Sequence, residues 1–244
     1  MIHALAELDV LHIWETGLSQ SPPVRALTVL GAAFPDISRE ELGALTIGQR
    51  DAWLFAVRDL LFGPTMTATA ACPGCQGQVE FSLRTDDLRL PEQAAPQQAH
   101  TLSTGGYELT FRLPDSHDLH NLPDDGGPDT ARSALLHRCV LECRHAGGSV
   151  SIDVLPEQVV EDMAARMAEL DPQAELQLTL RCAHCGQPWQ VLLDIVSFLW
   201  VEIAAKARRL LREVHDLARA YGWHERYILA MSPIRRAAYR ELGG

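Results

Sequence analysis

Two cysteine pairs carry the chemistry this sequence can offer. Cys72 and Cys75 stand in TATAACPGCQGQVEFSL, and Cys182 and Cys185 stand in LQLTLRCAHCGQPWQVLLD. One CxxC alone is half of a metal site, a redox dithiol or a coincidence, whereas two supply the four thiolates of a tetrahedral zinc site. Each pair occupies the turn between two alternating apolar–polar segments, with a glycine one or two residues after its second cysteine. Glycine suits that place because backbone amides must approach the sulfurs and a side chain would crowd them. Two such knuckles facing each other form a zinc-ribbon arrangement, with Cys72, Cys75, Cys182 and Cys185 as ligands to one Zn2+. Four sulfurs leave no open coordination position, so the expected role is structural rather than catalytic. The alternative is a set of buried or vestigial cysteines without a metal. A redox dithiol fits poorly, since neither pair opens a helix after a strand as a thioredoxin-like motif does. His184, between two of the ligands, is expected to face solvent.

Two further clusters invite a metal and support it less. Cys139 and Cys143, in ARSALLHRCVLECRHAGG, read as small buried hydrophobes on one face of a helix, with only His137 and His145 nearby as extra ligands. DSHDLHN gathers Asp115, His117, Asp118 and His120 in what reads as an acidic loop, and its spacing matches no metal motif. The chain also lacks GxGxxG after a strand, a Walker lysine loop, HExxH and GxSxG. The expectation is a protein that is not an enzyme.

The elements that must position the cysteines follow from periodicity. Residues 1–63 read as helical: Leu5, Leu8, Ile13 and Trp14 mark one stripe, and Val24, Leu27, Leu30 and Phe34 another after Pro22-Pro23. Ser38 and Thr46 are helix starts, the second leading to an inward face of Trp53, Leu54, Val57, Leu60 and Leu61 that ends at Gly63-Pro64. Strands flank each CxxC, residues 84–98 form a polar connector, and Tyr107–Leu113 alternates as a strand. Residues 114–130 read as a loop with one helical turn, and 131–144 and 157–170 as helices. A long helix then runs from near Asp194 to Tyr221, with Ile203, Ala207, Leu210, Val214, Leu217 and Tyr221 as a heptad-like seam and Gly222 as its cap. A short helix follows Ser232-Pro233. The expected class is α+β: helical N- and C-terminal arms around a split zinc-ribbon-like knuckle pair. The implied division is 1–63, then 64–90 with 173–194 as the β module, 91–172 as an α/β insertion, and 195–244.

Charge bears on partners. The chain of 244 residues is 47% hydrophobic, enough to bury a core, and its net charge of −11 argues against general nucleic-acid binding. Residues 196–244, however, hold nine Lys or Arg against five Asp or Glu, a local balance of +4 that leaves −15 on the remainder. A basic end on an acidic body suggests docking, within the chain or onto a partner. Arg208, Arg209 and Arg212 fall off the apolar seam and are the first candidates for such a surface. A zinc-ribbon adaptor that binds nucleic acid or another protein complex is the second functional reading, and those arginines would serve it. No apolar run reaches the roughly eighteen residues of a membrane span. The first residues lack the basic segment of a secretory signal, so the expected setting is the cytoplasm, where thiols stay reduced.

Three parts of the chain together resemble the T4-type phage baseplate family. They are IWETGLSQSPPVRALTVLGAA with IGQRDAWLFAVRDLLFG, the FRLPDSHDL segment, and the ending EVHDLARAYGWHERYILAMSPIRRAAYRELGG. The most specific part is the last: Tyr221, Gly222 and Trp223, then Ile228, Leu229, Ser232, Pro233, Arg235, Arg236 and Tyr239. Members of that family are baseplate hub proteins or hub assembly chaperones of contractile phages and related injection systems. The resemblance implies a non-enzymatic part in building the hub at the tip of a tail tube. Its implied neighbours are the hub or spike protein, the tail tube and the tape-measure protein. Assembly would occur in the cytoplasm, and both retention in the finished particle and release after assembly stay open. Tyr221, Trp223, Arg235, Arg236 and Tyr239 then join the three arginines as a candidate partner surface, or else close the chain's end onto the long helix.

Overall fold

The N-terminal third folds as helices because each start satisfies its own free amides. In this computed structural model, which describes residues 1–90, 99–123 and 127–243, α1 spans Glu7–Gly17, α2 Pro22–Ala33, α3 Arg39–Gly43 and α4 Ile47–Phe62. Ser38 Oγ accepts from the Glu41 amide while Glu41 accepts from the Ser38 amide, and Thr46 and Gln49 repeat that reciprocal cap. Gly63, at φ +83°, stops α4 with a backbone that other residues adopt at a cost. The second stripe turns inward as expected through Leu27, Leu30 and Phe34. Two expected core residues do not: Leu8 is 56% and Leu60 54% exposed. α1 instead buries Val10, Leu11 and Ile13, because its start at Glu7 rotates Leu8 away from the bundle.

Two hairpins carry the cysteines. β1 (Thr65–Ala71) pairs antiparallel with β2 (Gln78–Arg84), and the short helix α5 (Thr85–Leu88) follows. The second hairpin pairs β7 (Gln177–Arg181) with β8 (Pro188–Leu192). Between them lies a four-stranded antiparallel sheet in the order β3 (His100–Thr104), β4 (Tyr107–Phe111), β5 (Val140–His145) and β6 (Gly148–Ser149). The helices of this stretch are α6 (Ser116–His120), α7 (Gly127–Cys139) and α8 (Glu157–Leu170). Leu109, Phe111, Val140, Cys143, Val159 and Met163 form its core. Most of the expected connector, 91–98, lies outside the described residues.

The expected helix over 131–144 needs correction. α7 ends at Cys139, and the remainder is β5. The register shifts between Thr110 and Phe111, so Glu142 pairs with Thr110 and Val140 with Phe111, leaving Leu141 as a bulge. The bulge places the inward residues Val140 and Cys143 three apart instead of two. That spacing imitates a helix in the sequence, and pairing with β4 decides the conformation.

α9 (Ile195–Tyr221) has 27 residues, a rod of about 40 Å. Asp194 caps it by accepting from the Val196 and Ser197 amides, and Gly222 closes it at φ +67°. α10 (Glu225–Leu229) and α11 (Pro233–Gly243) fold back on it. The two ends of the chain are one packed bundle and not separate arms. Ile195, Val196, Leu199 and Ile203 of α9 share a core with Val10, Leu30, Leu54, Phe55 and Met66. Farther along, Ala207 and Leu210 meet Leu11 and Leu229. The observed class is α+β.

Candidate metal centre

The two knuckles have the same local wiring. In the first, the Cys72 amide donates to Gly77 O (3.0 Å) and the Gln76 amide to Cys72 O (2.9 Å). In the second, the Cys182 amide donates to Gln187 O (2.9 Å) and the Gly186 amide to Cys182 O (2.9 Å). Each tight turn aims both of its sulfurs out of the end of its hairpin. The residue after the second cysteine is left-handed in both, Gly186 at φ +76° and Gln76 at φ +59°. The glycines of the two knuckles therefore serve different ends. Gly186 relieves backbone strain, whereas Gly77 makes room: a Cβ there would lie 2.7 Å from His184 Cδ2 and 3.3 Å from Cys75 Sγ.

The hairpins meet tip to tip, and all four sulfurs lie within 4.8 Å of one another. Across the two knuckles, Cys72 Sγ lies 3.7 Å from Cys185 Sγ and Cys75 Sγ 3.6 Å from Cys182 Sγ. A regular tetrahedron of sulfurs at zinc–thiolate bond length has edges of about 3.8 Å. The separations also exceed the roughly 2.05 Å of a disulfide by a wide margin. Cys72 and Cys182 are buried, and Cys75 and Cys185 exposed. His184 is exposed, its ring lying over Gly77, and it stands outside the sulfur quartet.

Crowding makes the thiols unequal. The Cys185 amide first, then the His184 amide, hold the Cys182 thiol down to about 6 against the cost of desolvation. Cys185 is pushed up to about 12: the Gln187 amide favours its thiolate, but desolvation and the three neighbouring sulfurs outweigh it. Four thiolates so close repel one another, and a bound cation is the group that lets them ionise together. The donor set, its compactness and its geometry fit one metal ion.

The other clusters find structural partners. Asp115 accepts from the His117 and Asp118 amides and caps α6. Asp118 is bidentate to Arg112, at 2.6 and 2.8 Å. Desolvation raises the Asp118 carboxyl, but Arg112 with the Asp115 amide holds it below the ordinary carboxylate value. The His117 ring packs against Gly43. Cys139 and Cys143 are both buried, at the end of α7 and on β5, and burial pushes the Cys139 thiol up to about 11.

The C-terminal candidates divide. Arg208, Arg209 and Arg212 are exposed on α9, and Arg235 on α11. Arg236 leaves the surface: only 1% exposed, it donates to Glu7, Glu213 and the Met231 carbonyl. Its sequence neighbours give no hint of this place, a junction of α1, α9 and α11 with two carboxylates to receive it. Tyr221 stacks on Trp223 at 4.5 Å, Trp223 meets Tyr239 edge-on at 4.9 Å, and Tyr221 Oη donates to Tyr239 O. Those rings are half-buried and close α11 onto α9. Periodicity could not reveal two other buried arginines. Arg58 donates to both oxygens of Glu202 and to the Gly63 and Thr65 carbonyls, and Arg50 pairs with Asp51.

No helix among the described residues is long and apolar enough to cross a membrane. No curated protein and no solved structure matches the chain. A family described as T4 bacteriophage base plate protein does match, over residues 26–200. The matched span includes IGQRDAWLFAVRDLLFG, FRLPDSHDL and both knuckles, and it stops in the second turn of α9, short of the pattern from Tyr221 to Tyr239. With well over half of its length matched, this chain belongs to the T4 bacteriophage base plate protein family.

Proposed function

We propose that this chain is a non-enzymatic hub component or hub assembly chaperone of a contractile tail or injection particle, with its split β module, residues 64–90 and 173–194, closed by one structural Zn2+. The family match across both knuckles is the observation that carries this reading. The sulfur quartet supports the metal: four thiolates at tetrahedral spacing leave no place for substrate and suit zinc. The exposed Arg208, Arg209 and Arg212 on an otherwise acidic chain support docking to an acidic neighbour, with the hub or spike protein, the tail tube and the tape-measure protein as candidates. Assembly in the cytoplasm keeps the thiols reduced and able to load metal.

Two measurements test the reading separately. Metal analysis of the purified protein is expected to find one zinc per chain, and iron or no metal would remove the zinc. Co-expression with hub or spike proteins is expected to give a complex that survives purification. Fully competent particles assembled without this protein would defeat the assembly role. Retention on DNA at low salt, lost on replacing Arg208, Arg209 and Arg212, would put the nucleic-acid adaptor in its place.

A further inference from the structure

α9 sorts its charges by face. Its three carboxylates are all held by arginines of other elements: Glu202 by Arg58 of α4, and Glu213 and Asp216 by Arg236 and Arg240 of α11. Its own arginines, Arg208, Arg209, Arg212 and Arg219, are exposed, and none forms an ion pair among the described residues. At about 100° per residue, Arg208, Arg212, His215 and Arg219 share a strip about 60° wide, opposite the buried seam of Ile203, Ala207, Leu210 and Leu217. Val201, 67% exposed, and Ala205 continue that strip toward the start of the helix. The strip is therefore apolar over its first two positions and cationic from Arg208 to Arg219, a length of about 16 Å. It belongs to a chain whose residues 1–195 carry a net charge of −15.

Building on the reading of this chain as an assembly protein that docks through its arginines, we propose that the outer face of α9 receives an acidic amphipathic helix of the partner protein. That helix lies lengthwise, with carboxylates against Arg208, Arg212 and Arg219 and an apolar side chain over Val201. Charge selects an anion, because the carboxylates of α9 are already engaged and leave the strip without a counter-charge. Length argues for a segment of protein over a polyanion. A nucleic acid continuing past about 16 Å of cations meets the acidic remainder and sets phosphates over Val201, whereas an acidic helix ends where the strip ends. Spacing argues for a helix, whose side chains recur every three or four residues as those of the strip do, so that contacts stay in register for three turns. Exposed ion pairs of this kind are weak and screened by salt, so the expected Kd for an isolated helix is on the order of 100 µM.

The probes are two labelled helical peptides of identical composition. One carries Glu at i, i+4, i+7 and i+11 of a single face with Leu two turns away on that face, and the other disperses the same residues round the helix. Fluorescence anisotropy on the full-length protein in about 50 mM salt is expected to show the first peptide binding at least about fivefold more tightly than the second, with binding lost at about 300 mM. Combined Arg208→Glu, Arg212→Glu and Arg219→Glu substitution is expected to weaken the first peptide more than about tenfold and to favour its counterpart with Lys in place of Glu. Arg39→Glu, at an exposed position on α3, is expected to bind as the wild type does. Circular dichroism establishes that each variant keeps its helices. No binding by the wild type, equal affinity for the two peptides, a triple variant that binds unchanged, or duplex DNA of about 20 base pairs binding more tightly than the peptide in the same salt would each overturn the proposal. A hub or spike complex that survives the triple substitution would also overturn it, while leaving the assembly role in place. Peptide binding as expected, with no such complex formed by the wild type, would support the acidic-helix site and remove the assembly role.

Discussion

At Cys182, two backbone amides favour the thiolate before any metal is considered, and the three other sulfurs crowd around it. If the proposed zinc occupies the quartet, a Cys182→Ser variant removes the thiolate the backbone has best prepared, and its metal content should fall to near zero by elemental analysis while the wild type keeps one per chain. None of the four cysteines lies in the helical core, so its circular dichroism should persist. Asp118 shows a second residue-scale balance. Its carboxyl sits below the ordinary value because Arg112 more than offsets its burial, so it stabilises the fold above pH ~4, and that contribution is lost as pH falls through its folded-state pKa. Unfolding free energies from urea melts of wild type and Asp118→Asn should therefore differ most at neutral pH, by about 1–3 kcal/mol, and converge in acid. Equal gaps at pH 7 and pH 3 would show that the Arg112 pair carries no such linkage. The four cysteines that the structure gathers were legible in sequence because CxxC is a local pattern. The Arg112–Asp118 pair was not, since DSHDLHN advertises metal chemistry and its neutralising arginine lies upstream in FRLPDSHDL.

Between elements, arginines act as bolts. Arg58 ties α4 to α9 through Glu202 and to the start of β1 through Thr65, with its side chain 2% exposed. Arg25 donates to the Gly17 carbonyl at the end of α1 and lies 4.4 Å over the Trp200 ring. Breaking the first bolt leaves a partly buried carboxylate and two carbonyls, Gly63 O and Thr65 O, without the guanidinium. Arg58→Ala should cost about 3–5 kcal/mol in chemical denaturation, while Arg58→Met with Glu202→Leu should recover most of it. A double variant as unstable as the single one would mean that packing, not charge, dominates there. The apolar seam predicted the long helix, and Gly222 marked its C-terminal cap. They could not predict that Arg58 and Arg236 turn inward, because each meets a carboxylate over a hundred residues away, Glu202 and Glu7. β5 failed for another reason: its bulge gave Val140 and Cys143 the spacing of a helix, and β3, with little apolar alternation, offered no signal.

For the whole molecule, the sulfur quartet is one of several ties between distant segments. The Gly48 amide donates to Asp171 Oδ2 at 2.8 Å, and Gln173 joins Leu88 and Leu90 on the other side of the central sheet's entry point. A Cβ at Gly48 would run into Asp171 and the Ala174 amide. Chelation should therefore loosen the hairpin tips and leave the insertion docked. In hydrogen exchange, amides of residues 72–77 and 182–187 should lose protection when zinc is removed, while those of α4 and α8 keep theirs. Global unfolding on chelation would instead make the metal the main fastening of the fold.

The core shared by α1, α2, α4 and the first turns of α9 sets a timetable for synthesis. Met66 and Ile195 lie in one cluster but are separated by the hairpins, the sheet and α8. At about 5–20 residues per second, a ribosome needs roughly 6–26 s to make the chain between them. During that interval Leu30, Leu54 and Phe55 are folded into helices with no α9 to cover them. A nascent chain arrested before Ile195 is thus the form most exposed to chaperones, and the first nine residues of α9 are the segment whose arrival releases it.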